Sequence, residues 1–243
     1  MKSVPNNAMI LAAGFGRRML PLTKKIAKPL VTIIDKPIIH HIIQKLVSLE
    51  IDNILINTHH LPELFIESLK IFKKKVKIIY EKEILETGGG VLNAIKNEKK
   101  ISKESPLFVI NGDTFWIEKK ESSFLTLSEN WNLNKMDVLL VLKEKELMYG
   151  YEGDGDFDFL EDKKVNFGKL YKSDKQNRYV FSGLQLLNPG LLNNFEKKSF
   201  SLREIYFRAM KSNRLYGIVD KNDWFHISTI KNLREINNIL RKP

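Results

Sequence analysis

The stretch ILAAGFGRRMLPLTKKIAKPL, residues 10–30, begins as an apolar run, breaks at Gly14 and Gly16, and then sets Arg17, Arg18 and Lys28 in one short loop. A compact apolar run without helical spacing, here Ala8 to Ala13, reads as a buried strand. Glycines directly after it carry no Cβ and let backbone N–H groups come close to an anion. The two best-known phosphate cradles do not fit. A dinucleotide fingerprint needs a glycine where Met19 stands, and a Walker loop needs Gly-Lys-Ser/Thr after four spacers. From the two glycines alone the loop reads equally as a phosphate cradle or as a turn followed by a solvated basic face.

Four further apolar runs read as strands: Asn53 to Asn57, Val76 to Tyr80, Leu107 to Ile110 and Val138 to Leu142. Between them the spacing of Ile38, Ile42, Ile43, Leu46, Val47 and Leu49 predicts a helix over 38–49, and 62–72 and 89–95 also suit helices. Strand and helix alternate, which predicts an α/β fold with a parallel sheet and right-handed crossovers. Ligands in such sheets bind beyond the carboxyl ends of the strands, where Gly14, Glu81 and Asn111 fall. After about residue 143 the pattern loosens. A strand over 179–187 and helices over 202–212 and 230–240 are predicted there, in a smaller substrate-side lobe packed on the first half. The expectation is one domain, with a nucleotide-binding half at about 7–142 and a sugar-binding half at about 143–243.

Composition bounds the chemistry. The 243 residues hold 40 Lys plus Arg against 29 Asp plus Glu, a net charge of +11, which favours acidic partners of some kind. Without cysteine there is no disulfide and no thiolate metal site, and with no long apolar window a cytoplasmic, non-membrane protein is expected. Nucleic acid is an unfavoured partner, because basic runs such as Lys73 to Lys75 are not interleaved with aromatics. GDGDFDF at 153–159 is not a calcium loop: counted from Asp154, the sixth position is Phe159 and the twelfth Val165, where an EF-hand needs glycine and glutamate. Neighbouring helical residues point about 100° apart, so His40 and His41 read as structural.

The wider pattern around the opening loop is more specific. G-x-G-x-R-M at 14–19, P-L-T at Pro21 to Thr23 and K-P-L at Lys28 to Leu30 resemble the signature of sugar-1-phosphate nucleotidylyltransferases. LETGGG at 85–90 is similar to their base-recognition turn, INGD at 110–113 to their metal-binding strand end and FSGL at 181–184 to their sugar-side strand. With INTHHLPE after the second main strand, the chain most resembles bacterial N-acetylmuramate-1-phosphate uridylyltransferases of cell-wall recycling, with mannose-1-phosphate guanylyltransferases as near relatives.

The resemblance implies a Rossmann-like nucleotide-diphospho-sugar transferase fold, and a nucleoside triphosphate and a sugar 1-phosphate as partners. The best expectation is UTP with N-acetylmuramate 1-phosphate; mannose- or glucose-1-phosphate transfer is the alternative, and a catalytically impaired nucleotide-binding protein is the alternative of another class. It implies that Leu11, Ala12, Ala13 and the loop Gly14, Gly16, Arg17 and Arg18 hold the triphosphate, with Arg18, Lys28 and Asp113 catalytic. Glu86, Thr87 and Gly88 receive the base, which is expected to lie flat against Gly88. Asn111, Gly150, Ser182 and Gly183 receive the sugar phosphate. Magnesium, with manganese as a substitute, is expected on Asp113. One position departs from the family pattern: WFHIST at 224–229 puts His226 where a second metal-binding aspartate is common. Neutral imidazole is a poorer magnesium ligand than carboxylate, so His226 reads as a ligand to a softer ion, a phosphate contact or a packed residue. A monomer or a homodimer is compatible with the sequence.

Overall fold

Apolar runs flanked by turns set the order of elements in the computed structural model, which describes residues 4–102, 105–161, 165–193 and 195–241. The first half runs β1 (Asn7–Leu11), β2 (Thr32–Ile33), β3 (Lys36–Pro37), α1 (Ile38–Ser48), β4 (Asn53–Thr58), α2 (Pro62–Ser68), β5 (Val76–Tyr80), α3 (Glu86–Asn97), β6 (Leu107–Asn111) and β7 (Phe115–Ile117). Then follow α4 (Ser123–Asn130), β8 (Val138–Glu144), β9 (Asp158–Phe159), β10 (Phe167–Tyr171), β11 (Tyr179–Leu187), α5 (Leu202–Lys211), β12 (Leu215–Val219), β13 (Asp223–Phe225) and α6 (Ile230–Leu240).

Nine strands join one sheet in the order β5-β4-β1-β6-β11-β8-β12-β10-β9. The block β5-β4-β1-β6 is parallel throughout. From β1 the chain winds outward to β4 and β5, then returns through α3 to place β6 on the other side of β1. That reversal opens a crevice at the carboxyl ends of β1 and β6, the place where open α/β sheets bind ligands. Register brings Leu11 opposite Asn57 on one side and Asn111 on the other, so three strand ends form one row.

Burial explains why these strands are strands. Ala8, Met9 and Ile10 are fully buried, as a strand covered on both faces must be, and the core divides between the two faces of the sheet. Under one face α1 packs Ile38, Ile39, Ile42, Ile43 and Leu46, which recur at helical spacing on one side. Each such side chain, fully buried, contributes about 1.5–3 kcal/mol. Under the other face Val91, Leu92 and Ala94 of α3 meet Leu202, Ile205 and Ala209 of α5.

Several boundaries differ from the sequence expectation. β1 ends at Leu11, because the Ala12 N–H is taken by the side chain of Asn57. The helix expected from residue 89 begins at Glu86, and that expected to reach residue 72 ends at Ser68 before a separate turn at Lys70–Phe72. The second half does more than pack on the first: β11 inserts antiparallel between β6 and β8, and β12 extends the sheet in parallel. Asp156 and Asp158 of GDGDFDF accept the N–H groups of Phe181 and Arg178, tying the turn-rich stretch to β11. No helix among the described residues is long and apolar enough to cross a membrane.

Candidate active site

The glycine loop is held open by neighbours instead of by regular structure. Gly16 takes a left-handed conformation (φ 62°) ahead of the short turn Arg17–Met19, a conformation that costs other residues roughly 1–2 kcal/mol. Its carbonyl accepts the Thr23 hydroxyl at 3.0 Å, and the Thr23 carbonyl accepts His60 Nε2 at 2.7 Å. Phe15 lies against both His59 and His60, with ring centroids 5.4 and 5.6 Å away. The two histidines thus fix the loop's path, a role the sequence leaves unassigned. A Cβ on Gly14 would meet nothing within 4 Å, because Gly14 faces the cavity.

That cavity, of about 410 Å³, sits at the switch point of the sheet. Its wall combines Leu11, Ala12, Ala13, Gly14, Gly16, Arg17 and Arg18 with Lys28, Glu86, Thr87, Asn111 and Asp113. Lys28, only 8% exposed, begins the turn Lys28–Leu30 and donates to Asp113 Oδ2 at 2.5 Å. An ammonium this enclosed requires a partner, and a carboxylate at hydrogen-bond distance compensates the desolvation. Asp113 keeps 40% of its side chain open to solvent. Enclosure opposes its ionisation, but the Lys28 charge and hydrogen bond, with its own N–H and nearby His226, hold the carboxyl below the usual range. His226 is pushed the other way from charge: burial first, then Lys28 and Arg18, lower its pKa, against the pull of Asp113 and Asp156. It therefore stands as a neutral imidazole at neutral pH, with its ring edge-on to Tyr151 at 5.5 Å.

Gly88 is not on the cavity wall: its N–H donates to the Phe200 carbonyl at 2.8 Å, and a Cβ there would fall 2.3 Å from the Phe200 ring. The three glycines of LETGGG make room for neighbouring protein. Gly89 makes room for the Lys198 carbonyl, and Gly90 for Asn57 and Glu81. Thr87 is the second residue of α3. Its hydroxyl accepts the Leu202 N–H at 2.9 Å, so the segment leading into α5 buttresses the turn, leaving Ile84, Glu86 and Thr87 toward the cavity.

On the sugar side, Gly150, Ser182, Gly183 and His226 also lie off the cavity wall. The Ser182 hydroxyl is sealed from solvent and has no hydrogen-bond partner, so it does not present itself to a ligand. Gly183, at φ 95°, sits where β11 slips register against β8, and a Cβ there would lie 3.2 Å from the Asn111 Cβ. It packs against Asn111 at the cavity edge. Asn57, Met19, Pro29, Ile84 and Ser228 complete the wall, and the sequence alone assigns none of them. Asn57 leaves one readable signal, a polar residue closing the apolar run ILIN at a strand's carboxyl end.

Among the described residues no three His, Cys, Asp or Glu side chains cluster as a metal site. A hard divalent cation needs only one or two carboxylates when substrate phosphates supply the remaining oxygens. Asp113 beside the glycine loop fits that requirement; His226, a nitrogen donor, suits manganese better than magnesium.

Proteins of known activity are similar to this chain along most of its length. An N-acetylmuramate alpha-1-phosphate uridylyltransferase of Caulobacter vibrioides is 29% identical over 233 residues, covering 93% of each chain. Mannose-1-phosphate guanylyltransferase 1 of Arabidopsis thaliana is also 29% identical and covers 97% of this chain, which spans 66% of that longer protein. Among solved structures, HddC from Yersinia pseudotuberculosis complexed with GMP-PN superposes with a TM-score of 0.71 at 21% identity, over 99% of this chain and 100% of that one. A UDP-glucose pyrophosphorylase complexed with UDP-glucose gives 0.72 at 18% identity, over 96% and 97%. The nucleotidyl transferase family model matches residues 7–242, and this chain is an enzyme belonging to that family.

Proposed function

We propose that this chain transfers a uridylyl group from UTP to N-acetylmuramate 1-phosphate, giving the UDP-sugar and pyrophosphate. A sugar-phosphate oxygen attacks the α-phosphorus in line, forming one P–O bond while the bond to the bridging oxygen of the pyrophosphate breaks. The observation that carries the reading is the Lys28–Asp113 pair at 2.5 Å in a cavity walled by the glycine loop. Such a transfer needs no covalent nucleophile; it needs alignment and neutralisation of developing charge. Backbone N–H groups around Gly14 and Gly16 receive the triphosphate, and Arg17 and Arg18 face the same space. Arg18 neutralises the departing pyrophosphate, and Lys28 donates to the phosphate as charge gathers. Asp113 is the residue that would hold a magnesium ion, which would add neutralisation of phosphate oxygens.

Ile84, Glu86 and Thr87 bound the base end of the cavity, and Asn111, seated by Gly183, lies toward the acceptor. For the acceptor, the support is the Caulobacter relative, which this chain matches across nearly the full length of both. A carboxylate-bearing sugar calls for a cation near the acceptor end. Among the cations of the second half, Arg178 pairs with Glu144 at 3.1 Å, Lys169 lies on β10, Lys172 follows it and Arg203 lies in the first turn of α5; none of these four lines the cavity. Pyrophosphate release across UTP, GTP, CTP, dTTP and ATP against N-acetylmuramate, mannose, glucose and N-acetylglucosamine 1-phosphates tests the reading. Turnover is expected to concentrate in UTP with N-acetylmuramate 1-phosphate; concentration in GTP with mannose 1-phosphate overturns the substrate assignment.

A further inference from the structure

Two buried polar side chains at the back of the cavity are not accounted for by this chemistry. Asn57 and Glu81 are each 2% exposed and lie at the ends of neighbouring strands, β4 and just past β5. The Asn57 Oδ1 accepts the Ala12 N–H at 2.8 Å, and its Nδ2 donates to Glu81 Oε1 at 2.7 Å. Glu81 Oε2 accepts the Leu85 N–H at 3.3 Å. The chain of bonds therefore starts at Ala12, just ahead of the glycine loop, and finishes at Leu85, beside Ile84 and Glu86 at the base end. A parallel tie runs from Phe15 to the His59 ring, whose Nδ1 donates to the Glu81 carbonyl at 2.9 Å. Gly90 is shaped to this arrangement: a Cβ there would stand 2.7 Å from Asn57 Nδ2 and 2.9 Å from Glu81 Oε1.

We infer that Asn57 and Glu81 form a strut that sets the spacing between the phosphate loop and the base turn, making them positioning residues for the nucleotide. The inference rests on the reading that the nucleotide spans these two ends. A buried carboxylate is expensive unless its oxygens are satisfied, and here the protein supplies both partners from the two walls it must align. Neither group is needed to close the core, since apolar residues at these positions would bury more cheaply. The carboxylate of Glu81 is off the cavity wall, so it acts through the backbone it holds.

The polarity of the strut gives a decisive test. In Glu81→Gln the new amide meets either the Asn57 amide or the Leu85 N–H, donor against donor. In Asn57→Asp two carboxylates face each other. Combining Asn57→Asp with Glu81→Gln restores every bond. The carboxylate then at position 57 accepts from the Ala12 N–H and from the amide at position 81, whose carbonyl oxygen accepts from the Leu85 N–H. Each single variant is expected to lose about 10- to 100-fold in kcat/KM for the nucleotide, the size of one buried polar group left unpaired. KM for the sugar phosphate should stay unchanged, and the double variant should recover at least half of the loss on a logarithmic scale.

A double variant no better than its components overturns the strut, and so do single variants that lose only melting temperature while kcat and both KM values hold. Should the singles fail to fold, a folded, active double variant supports the strut and an unfolded one overturns it. If instead the wild-type chain releases no pyrophosphate from any pair of substrates, the transferase reading has failed, and nucleotide binding by the same variants, measured by calorimetry with UTP, tests the strut separately.

Discussion

Gly14 and Gly16 lie two residues apart, yet the structure assigns them opposite responses to the same substitution. Gly14→Ala adds a methyl group that meets no protein atom within 4 Å, at a φ outside the left-handed region, so the fold accepts it. Replacing glycine where the backbone permits stabilises by about 0.4–1 kcal/mol through the unfolded chain. For a domain of this size that raises the melting temperature by roughly 1–4 °C. The same methyl projects into the cavity where backbone N–H groups receive phosphate. Losing one charge-assisted hydrogen bond costs about 1.5–3 kcal/mol, so kcat/KM for the nucleotide should fall by at least about tenfold, up to about 100-fold. Gly16→Ala must hold an alanine at φ 62° with its Cβ 2.9 Å from Thr23 Cγ2 and 3.2 Å from Lys28 Cβ, and should lower the melting temperature. Thermal melts and nucleotide titrations of pyrophosphate release on the two variants read both effects. A Gly14→Ala enzyme with unchanged kcat/KM would refute the cradle, however stable it proved.

Lys28→Ala and Asp113→Asn each break the 2.5 Å pair and should reduce kcat by about 10²–10³, with a smaller change in nucleotide KM, as steady-state kinetics would show. Gly88→Ala should destabilise the fold and raise nucleotide KM, because the added Cβ lies 2.3 Å from the Phe200 ring; Phe200→Ala, which empties a buried site, should cost about 3–5 kcal/mol in denaturant melts. His40 and His41 carry pKa values lowered first by burial, from the usual 6.5, while their Nε2 atoms hydrogen-bond to Ser68 and Ile33. The unfolded chain therefore takes up protons near pH 6.5 that the folded chain takes up only at lower pH. The stability they secure is complete above pH 6.5 and is lost as pH falls through their folded values, so melting temperature should drop in that window and drop less in His41→Gln.

The half of the fold that was legible is the half whose strands are buried on both faces. β1, β4 and β6 are continuous apolar runs, and the helical spacing of Ile38 to Leu46 left α1 little alternative. β10 reads FGKLY and is covered alternately, β13 is three residues long, and α4 reads SFLTLSEN, with little to separate helix from loop. Partners distant in sequence decide the two strands: β12 pairs with β10 and β7 with β13. At the site, the glycine loop and Lys28 stood out because glycines and clustered charge after an apolar run are locally unusual, and Asp113 through the resemblance of INGD to the family's strand end. Glu81 was marked only by its place at a strand end and Asn57 not at all, because what makes them informative is their bond to each other. The neighbour of Gly88 was hidden for the same reason: three consecutive glycines announce a close approach, but only the fold shows that Phe200 makes it.

The most direct test is one incubation of the wild-type chain with UTP, N-acetylmuramate 1-phosphate and magnesium, following pyrophosphate and the nucleotide-sugar together by mass. Equimolar appearance of pyrophosphate and the UDP-sugar, abolished in Lys28→Ala, is the predicted result. UTP consumed without any nucleotide-sugar, or a Lys28→Ala enzyme as fast as wild type, would contradict it.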